Sequence, residues 1–599
     1  MSPELEIPEL VPHGLPPAGE LVRQGRERAR CLSVGRTRYQ RRHRARSERT
    51  YKERCRRDRT ITYYINLGLK SWPETRDALR WIQSECGRRG LRVDRVSLTA
   101  DRRMGLMPEA RASAIEETGI MFWTPEDWAG VGSEIELQGI LNDHAVGSPA
   151  SIVNAEAAIQ AGISYIGNLS QQNYGYPGWS DDVAQMANTV VAIAMLAEKK
   201  NEGFVLDSYI DDGYCASFHD AATSLGWCLF HHYVARDLIG AAHSPSFGST
   251  FADPVLKAAF GLALDAVNVD RVPPSLVHGD TNSLRPQDSF DRSATTVGSD
   301  VFFTIARELA FPTGAAVHAT PLSEPIRIPT PEDIIQSLEI ANEAERRARA
   351  SLSLIDWRPA QKLSQAILDG GRRVFGSLLE GLASFGVDCR DPLQLLVATR
   401  RLGAANIESL YGAGEPDSSY PRGFRPIAET DTFRRAAVYE REVLDSLAAA
   451  GTRPDLRGIR VVAGSGDIHE YGLHLVVSVL RALGADVVDV GTNIDADLLV
   501  QAAAETAADA VALSTYNGMA LSLGRELQDA LRRRGLPAQL YVGGRLTEDV
   551  DGAKSVDVSD ELARLGVVPC GRVEDMVERL LRSRQPQIGV ERGKGGPDG

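Results

Sequence analysis

The stretch GSGDIHEYG (residues 464–472) follows directly on the apolar run GIRVVA and decides the fold of the C-terminal part of the chain. An apolar run of this length that ends in small and polar residues predicts a buried strand followed by a loop. Four similar runs follow, each with a helical pattern behind it: ADVVDVG, DAVALST, AQLYVGG and GVVPC. Strands that alternate with helices predict a doubly wound, flavodoxin- or Rossmann-like parallel sheet over residues 458–584.

Polar residues behind the first predicted strand are candidates for holding a metal. Asp467 lies two residues before His469, so its carboxylate can hold one imidazole nitrogen and make the other a better metal ligand. Zinc sites use three or four protein ligands, and this loop offers one histidine. The pattern therefore favours a metal that a macrocycle already holds.

Small residues behind the other strands predict room for a large ligand. Gly472 lets a helix begin close to a bulky group. Ser514 ends the third strand, and Gly543 and Gly544 end the fourth, where backbone without Cβ atoms can approach a nucleotide-like tail. Ligands in doubly wound sheets bind at these carboxyl ends of the strands.

The order of these motifs resembles the cobalamin-binding domain of corrinoid mutases and methyltransferases, and most of all the small subunit of glutamate mutase (methylaspartate mutase). The resemblance implies that His469 is the axial ligand of cobalt and that Asp467 hydrogen-bonds it. It also implies that Ser514, Gly543 and Gly544 line the slot for the displaced nucleotide tail. Tyr516 stands where the family usually has leucine.

Residues 60–410 alternate short apolar runs with helical patterns, which predicts a TIM-like (β/α)8 barrel with a helical C-terminal extension. An open doubly wound sheet would give the same alternation. A linker rich in Gly, Pro and Ser is predicted over residues 411–457, and a disordered tail over residues 585–599. The candidate strands are ITYYINLG (61–68), RVSLTAD (95–101), GIMFW (119–123), ISYIGN (163–168), GFVLDSY (203–209), WCLFHHY (227–233) and AAVHATP (315–321).

Residues 310–334, AFPTGAAVHATPLSEPIRIPTPEDI, resemble the TIM-barrel large subunit of glutamate mutase. Together the two resemblances imply both subunits fused in one chain, acting as an adenosylcobalamin-dependent radical isomerase on a small-molecule substrate. They also imply that Glu324 lies near the adenosyl ribose and that the chain forms a homodimer through its barrels.

The substrate site of the family is only partly present. Glutamate mutase grips its dicarboxylate with three arginines, and here Arg102 and Arg103 alone can supply a remnant. Asn168 stands near the position of the acidic residue that contacts the substrate amine, and Tyr174 matches one of two tyrosines. We therefore expect a substrate other than glutamate.

Two other functions stay open at this stage. Methyl carriers of the methionine synthase type place a four-helix cap before the cobalamin domain, and sensors place a DNA-binding helix-turn-helix there. Residues 430–450 supply one clear helix, which favours the isomerase over a corrinoid methyltransferase or a non-catalytic regulator. Further polar residues at predicted strand ends are more often capping or core residues: Asp101, Asp143, His144, Asp207, Tyr209, His231, His232, Asp280 and His318.

Composition limits the partners and the compartment. The 599 residues carry a net charge of −13, but Arg23 to Arg59 holds sixteen basic residues against four acidic ones. We expect a basic arm over residues 1–59, partly disordered, that packs on an acidic body rather than on nucleic acid. Apolar runs are too short to cross a membrane, and seven scattered cysteines favour the reducing cytoplasm.

Overall fold

The computed structural model describes residues 9–285, 287–449, 454–467, 469–550 and 554–583. The chain is a mixed α/β protein built on parallel sheets. The predicted tail over 585–599 and the first eight residues of the basic arm lie outside the described residues. The rest of the arm contains three helices: α1 (Ala18–Arg30), α2 (Arg38–Arg42) and α3 (Glu48–Asp58).

Eight short parallel strands follow the arm and form two sheets. One sheet has the order β3-β2-β1-β8-β7 and the other the order β4-β5-β6. Isolated parallel bridges between Leu141 and Ile166, and between Phe247 and Val277, link the edges of the two sheets. The strands are β1 (Thr62–Asn66), β2 (Arg95–Ser97), β3 (Gln138–Ile140), β4 (Tyr165–Ile166), β5 (Val205–Tyr209), β6 (His243–Ser246), β7 (Leu276–Val277) and β8 (Ala316–Val317).

Helices separate these strands and cover the sheets. They are α4 (Trp72–Arg89), α5 (Pro125–Ser133), α6 (Ser151–Ala161), α7 (Asp182–Glu198), α8 (Tyr214–Ser217), α9 (Ala221–His232), α10 (Pro254–Val267) and α11 (Phe290–Ala310). Inward side chains from both sheets form one buried cluster, which includes Tyr64, Ile140, Tyr165, Val205, Leu276 and Ala316. The two sheets therefore share a core.

Two predicted strands of this region are wrong. The run WCLFHHY lies in α9 and in the π-helical turn Tyr233–Ile239 that continues it. Because α9 is buried on nearly every side, it lacks the polar face by which a helix is recognised. His231 and His232 thus lie on a helix, where Nδ1 of His232 is 2.9 Å from Nδ1 of His243. GIMFW forms only single bridges, at Ile120 and Met121.

The arm closes the amino ends of the strands. Lys52 and Glu48 are fully buried, as is Arg95 of β2. Nζ of Lys52 donates to the carbonyls of Pro274 and Ser275, and Glu48 forms an ion pair with Arg95. Outer arginines pair with acidic side chains of the body, such as Arg30 with Glu198 at 3.0 Å. Basic side chains of the arm therefore form ion pairs with acidic side chains of the same chain.

Four helices and a small hairpin lie between the eight strands and the C-terminal sheet. They are α12 (Pro331–Ser351), α13 (Arg358–Ser384), α14 (Pro392–Tyr411), the antiparallel pair β9 (Glu415–Pro416) and β10 (Phe424–Arg425), and α15 (Asp431–Ala449). The first three helices pack on α7, α9, α10 and α11. The range predicted as a linker, residues 411–457, thus holds the hairpin and α15.

The C-terminal sheet has five parallel strands in the order β12-β11-β13-β14-β17. They are β11 (Arg460–Ser465), β12 (Asp486–Asp489), β13 (Ala510–Thr515), β14 (Gln539–Gly544) and β17 (Val568–Cys570), with the hairpin β15 (Thr547–Val550) and β16 (Lys554–Asp557) inserted after β14. Helices α16 (Glu470–Ala482), α17 (Ala496–Thr506), α18 (Ala520–Arg533), α19 (Ser559–Arg564) and α20 (Val573–Ser583) cover both faces.

The strand order of the C-terminal sheet reverses at β11, which has β12 on one side and β13 on the other. In a doubly wound sheet this reversal opens a crevice at the carboxyl ends of the two central strands. The loop after Ser465 borders that crevice. No helix among the described residues is long and apolar enough to span a bilayer.

Candidate functional site

Asp467 is fully buried in the loop between β11 and α16 and holds His469 in place. Its Oδ1 lies 3.0 Å from Nδ1 of His469 and accepts the backbone N–H of the same residue at 2.9 Å. Its Oδ2 accepts the backbone N–H groups of Tyr516 and Asn517, at 2.5 and 3.0 Å. One carboxylate thus fixes both the imidazole and the loop after β13.

The electrostatics of this pair favour an ionised aspartate. Burial by itself raises the pKa of Asp467, but the hydrogen bond and charge of His469 and the backbone donors outweigh burial and lower the pKa below its ordinary value. The side chain of His469 is 40% exposed. With Nδ1 turned to the carboxylate, Nε2 is the ring nitrogen left for a metal.

Three glycines lie near this loop, and a Cβ would fit tightly at two of them and clash at the third. A Cβ at Gly472 would stand 3.0 Å from Oγ of Ser514, and one at Gly543 would stand 3.3 Å from the carbonyl of Cys570. Gly544 has φ +90°, and a Cβ there would lie 2.2 Å from the carbonyl of Thr515. Ser514 is paired in register with Gly543, so the predicted cofactor residues share one edge of the sheet.

A stack of side chains joins His469 to the loop after β8. The rings of His469 and Tyr516 have centroids 4.1 Å apart, and the guanidinium of Arg545 lies 3.8 Å from the centre of the Tyr516 ring. Arg545 and the Tyr516 hydroxyl both donate to the backbone carbonyl of Glu324. Burial raises the pKa of the Glu324 carboxyl, opposed by the charge of Arg545. The resemblance to the mutase did not indicate this stack.

Arg102 connects the two halves of the site. Its side chain is only 1% exposed, and its Nη1 donates to the carbonyl of Gly466 at 2.9 Å. The backbone N–H of Arg102 donates to Glu117, whose other oxygen accepts from Asn517. Burial, helped by the charges of Asp101 and Asp467, raises the pKa of Glu117 to about 8. The eight-strand region and the C-terminal sheet therefore meet through buried polar groups.

The other predicted substrate residues lie apart from this contact. Arg103 forms a two-pronged ion pair with Asp101, with its shortest N–O distance at 2.7 Å. Asn168 is fully buried and donates to Asp212 at 2.8 Å. Tyr174 is also buried, and its hydroxyl accepts the backbone N–H of Gly213 at 3.3 Å.

A second polar group at the carboxyl ends of β1, β7 and β8 contains two residues that the sequence did not single out as candidates. Tyr64 stacks on His318, with ring centroids 4.9 Å apart and planes at 26°. His278 lies beside His318, with centroids 4.5 Å apart. Tyr64 was missed because it lies within the apolar strand β1, and His278 because it follows the two-residue strand β7, where the polar run HGD was the available signal.

These residues fit a corrinoid. Among the described residues, no cluster of three or more His, Cys, Asp or Glu side chains could hold a bare metal ion. The single imidazole with a carboxylate behind it suits a metal whose other ligands come from a macrocycle. Gly543 and Gly544, beside Ser514, carry no Cβ atom, so backbone there can lie against a large ligand.

Comparisons with known proteins agree with this reading of the C-terminal sheet. Residues 458–558 match the family model of the B12 binding domain. A corrinoid protein from Desulfitobacterium hafniense (strain Y51) is 26% identical over 227 residues, which are 35% of this chain and 96% of that protein.

Two solved structures are similar to parts of the chain. A cobalamin-binding protein from Desulfitobacterium hafniense DCB-2 is 20% identical, with a TM-score of 0.20, over 38% of this chain and 98% of that one. The methanol:cobalamin methyltransferase complex MtaBC from Methanosarcina barkeri is 15% identical, with a TM-score of 0.18, over 49% and 80%. TM-scores of this size do not establish a shared fold. The family match and the corrinoid relative support a cobalamin-binding protein, with a B12 binding domain at residues 458–558.

Proposed function

We propose that the chain is an adenosylcobalamin-dependent radical isomerase, similar to glutamate mutase with both subunits fused, and that its substrate is not glutamate. The observation that carries the proposal is the buried contact from Arg102 to the carbonyl of Gly466, one residue before the aspartate that holds His469. It joins a catalytic region to the cobalamin domain through groups that are costly to expose.

We further propose that the eight N-terminal strands close into one TIM barrel. The two parallel sheets, the bridges at Leu141–Ile166 and Phe247–Val277, and the shared buried cluster support a single closed ring of strands. Active sites of such barrels lie at the carboxyl ends of the strands. Arg102 after β2 and Glu324 after β8 lie at that end and contact the B12 binding domain.

Each residue then has a defined task. His469 would hold the cobalt of the corrinoid through Nε2, and Asp467 would hold the tautomer and ring orientation of His469. Gly472, Ser514, Gly543 and Gly544 would line the nucleotide tail. When bound, adenosylcobalamin supplies a carbon–cobalt bond whose homolysis starts radical chemistry. The stack of Tyr516 and Arg545 on the Glu324 carbonyl would keep water out of the space between the two regions.

The missing arginine clamp underlies the substrate part of the proposal. Arg103 is paired with Asp101, and Nη1 of Arg102 is bonded to the Gly466 carbonyl, so neither guanidinium presents its whole fork to a dicarboxylate in this arrangement. Asn168 and Tyr174 are likewise occupied within the chain. We also propose that the chain forms a dimer and that it is located in the cytoplasm.

The position of the preceding helices favours an isomerase over a methyl carrier. Helices α12, α13 and α14 pack on helices of the eight-strand region, and α15 packs on α16 and α20. A methyl carrier of the methionine synthase type would instead have these helices as a separate cap. A corrinoid methyltransferase stays the second candidate, because a B12 binding domain and a corrinoid relative suit it as well.

One experiment separates these functions. The purified chain is incubated with adenosylcobalamin and a panel of amino acids and hydroxy acids, and radical formation is followed by electron paramagnetic resonance. A signal that needs both substrate and His469 supports the isomerase. Methyl transfer from methylcobalamin to a thiol, without such a signal, would replace it with the methyltransferase. Conversion of L-glutamate to 3-methylaspartate would refute the substrate part.

A further inference from the structure

Five side chains at the carboxyl ends of β1, β7 and β8 form a group that we call the neutral pocket: Tyr64, Asn66, His278, His318 and Thr320. Residues two apart on a strand point to the same side, so Tyr64 and Asn66 share the inward face of β1, as His318 and Thr320 share that of β8 and the loop behind it. Nδ2 of Asn66 lies 2.9 Å from Nε2 of His278. The Tyr64 ring stacks on His318.

Three polar atoms of this pocket are buried and have no hydrogen-bond partner. They are the hydroxyl of Tyr64, Nδ1 of His318 and the hydroxyl of Thr320. The exposed fractions of these residues are 0%, 3% and 1%. Buried polar atoms are nearly always paired in folded proteins, because leaving one unpaired costs free energy. Three such atoms in one cluster indicate a place for a polar group that comes from outside the chain.

The pocket carries no positive charge of its own. Residues 62–69, 276–284 and 316–326 contain no lysine or arginine. The nearby Lys257 is already bonded to Asp300 at 2.7 Å and to the His278 carbonyl at 2.8 Å. Burial lowers the pKa of both His278 and His318, so their imidazoles are neutral near pH 7. The charge of Arg95 reaches Tyr64, but Arg95 is paired with Glu48, so a carboxylate would find no unpaired cation here.

Neutral groups of this kind can both donate and accept hydrogen bonds. A phenol and a threonine hydroxyl do so, and a neutral imidazole has one N–H and one free lone pair. Nδ1 of His278 faces the Gly279 carbonyl at 2.8 Å, so it carries the proton and Nε2 accepts from Asn66. The ligand that matches the remaining atoms is one that also donates and accepts, which a hydroxyl does.

We propose that Tyr64, His318 and Thr320 bind an uncharged hydroxyl group of the substrate. The inference rests on the proposed function, since it assigns the substrate class of the same enzyme. The loop from His318 to Glu324 leads from this pocket to the contact with Tyr516 and Arg545, and hence to His469. The hydroxyl-bearing part of the substrate would therefore lie at the base of the space that the cobalamin domain covers.

The test uses the full chain and two tyrosine variants. Tyr64→Phe keeps the ring stack and removes the unpaired hydroxyl, so we expect the Tm of the cofactor-free protein to stay the same or rise. The matched control is Tyr63→Phe, the adjacent residue, whose hydroxyl donates to Glu345 at 2.5 Å. That variant should lower the Tm, because it breaks a buried hydrogen bond. An equal fall for Tyr64→Phe would overturn the proposal.

Binding is then measured by saturation-transfer NMR with erythritol, L-glutamate and succinate as probes. We expect erythritol to bind the wild type. Its Kd should rise about tenfold in Tyr64→Phe, which is the effect of one lost hydrogen bond. A signal for glutamate or succinate that depends on Tyr64, or erythritol binding that is absent or indifferent to Tyr64, would overturn the proposal. This binding measurement needs no cobalamin. If erythritol binding depends on Tyr64 but no radical signal is found, the hydroxyl site stands and the isomerase is refuted.

Discussion

In the B12 binding domain, Asp467 and His469 are two residues apart and are held by backbone N–H groups of the neighbouring loop. In the eight-strand region, Tyr64 and His318 come from the first and last strands and meet only because those strands pair. The first site is built by two neighbouring loops, and the second by the pairing of the first and last strands. Changes at His469 should therefore act locally, whereas changes in the strands should act through the fold.

The largest expected effect is that of His469→Ala on corrinoid binding. Loss of second-sphere partners costs metal sites about 10- to 100-fold in affinity, and loss of the ligand itself should cost at least about 100-fold. Absorption spectra of the loaded protein report the lower ligand directly. His474→Ala, five residues further on in α16, is the control and should retain the corrinoid. Unchanged retention and spectrum in His469→Ala would mean that this loop does not hold the cofactor.

Gly544→Ala tests the glycine edge of the same domain. Its positive φ and the 2.2 Å approach of a Cβ to the Thr515 carbonyl should cost about 1–3 kcal/mol in the free energy of unfolding. Urea denaturation measures this cost. The control is Gly571→Ala, where a Cβ meets nothing within 4 Å. Equal stability of both variants would show that the edge tolerates side chains.

Arg102→Met addresses the contact between the two regions. It removes the donor to the Gly466 carbonyl and should lower the free energy of unfolding by about 1–2 kcal/mol, because a buried acceptor loses its partner. Arg30→Met removes an exposed ion pair with Glu198 and should cost less than about 1 kcal/mol. If the two substitutions cost the same, Arg102 does not join the regions, and the observation that carries the proposed function is lost.

The smallest expected effect is that of Glu117→Gln, which should change how the free energy of unfolding depends on pH. In the folded chain Glu117 keeps its proton up to about pH 8, whereas the ordinary pKa is 4.5. Between these values the folded state binds more protons than the unfolded state, so the free energy of unfolding falls as pH rises. The variant should lose part of this fall between pH 5 and 8. Identical pH profiles in urea titrations would count against a protonated Glu117 at the contact.

Much of the B12 binding domain could be predicted from sequence. Its sheet strands are three to six residues long, and each ends in a loop of small or polar residues. All five strands and the Asp467–His469 pair are where the pattern indicated. The hairpin β15–β16 was missed, since it is a polar insertion with no apolar alternation. The roles of Gly472, Ser514, Gly543 and Gly544 toward the nucleotide tail stay predictions.

The eight-strand region was harder to predict. Strands β3, β6 and β7 were missed because polar residues, glycine or proline interrupt their apolar runs, which read LQGIL, HSPS and PSLVH. Helix α9 was taken for a strand because close packing against α13 leaves it apolar all round; a Cβ on Gly226 would reach Val374 at 2.7 Å. Tertiary packing decides these elements, and local sequence does not record it.

The buried cluster of Lys52, Glu48 and Arg95 has a practical consequence for handling this protein. A shortened version that starts at Thr60 would strip Arg95 of its carboxylate and uncover the carbonyls of Pro274 and Ser275. The basic arm thus covers the amino ends of the strands. Purification tags should be attached ahead of it, and deleting it to improve solubility should yield insoluble material instead.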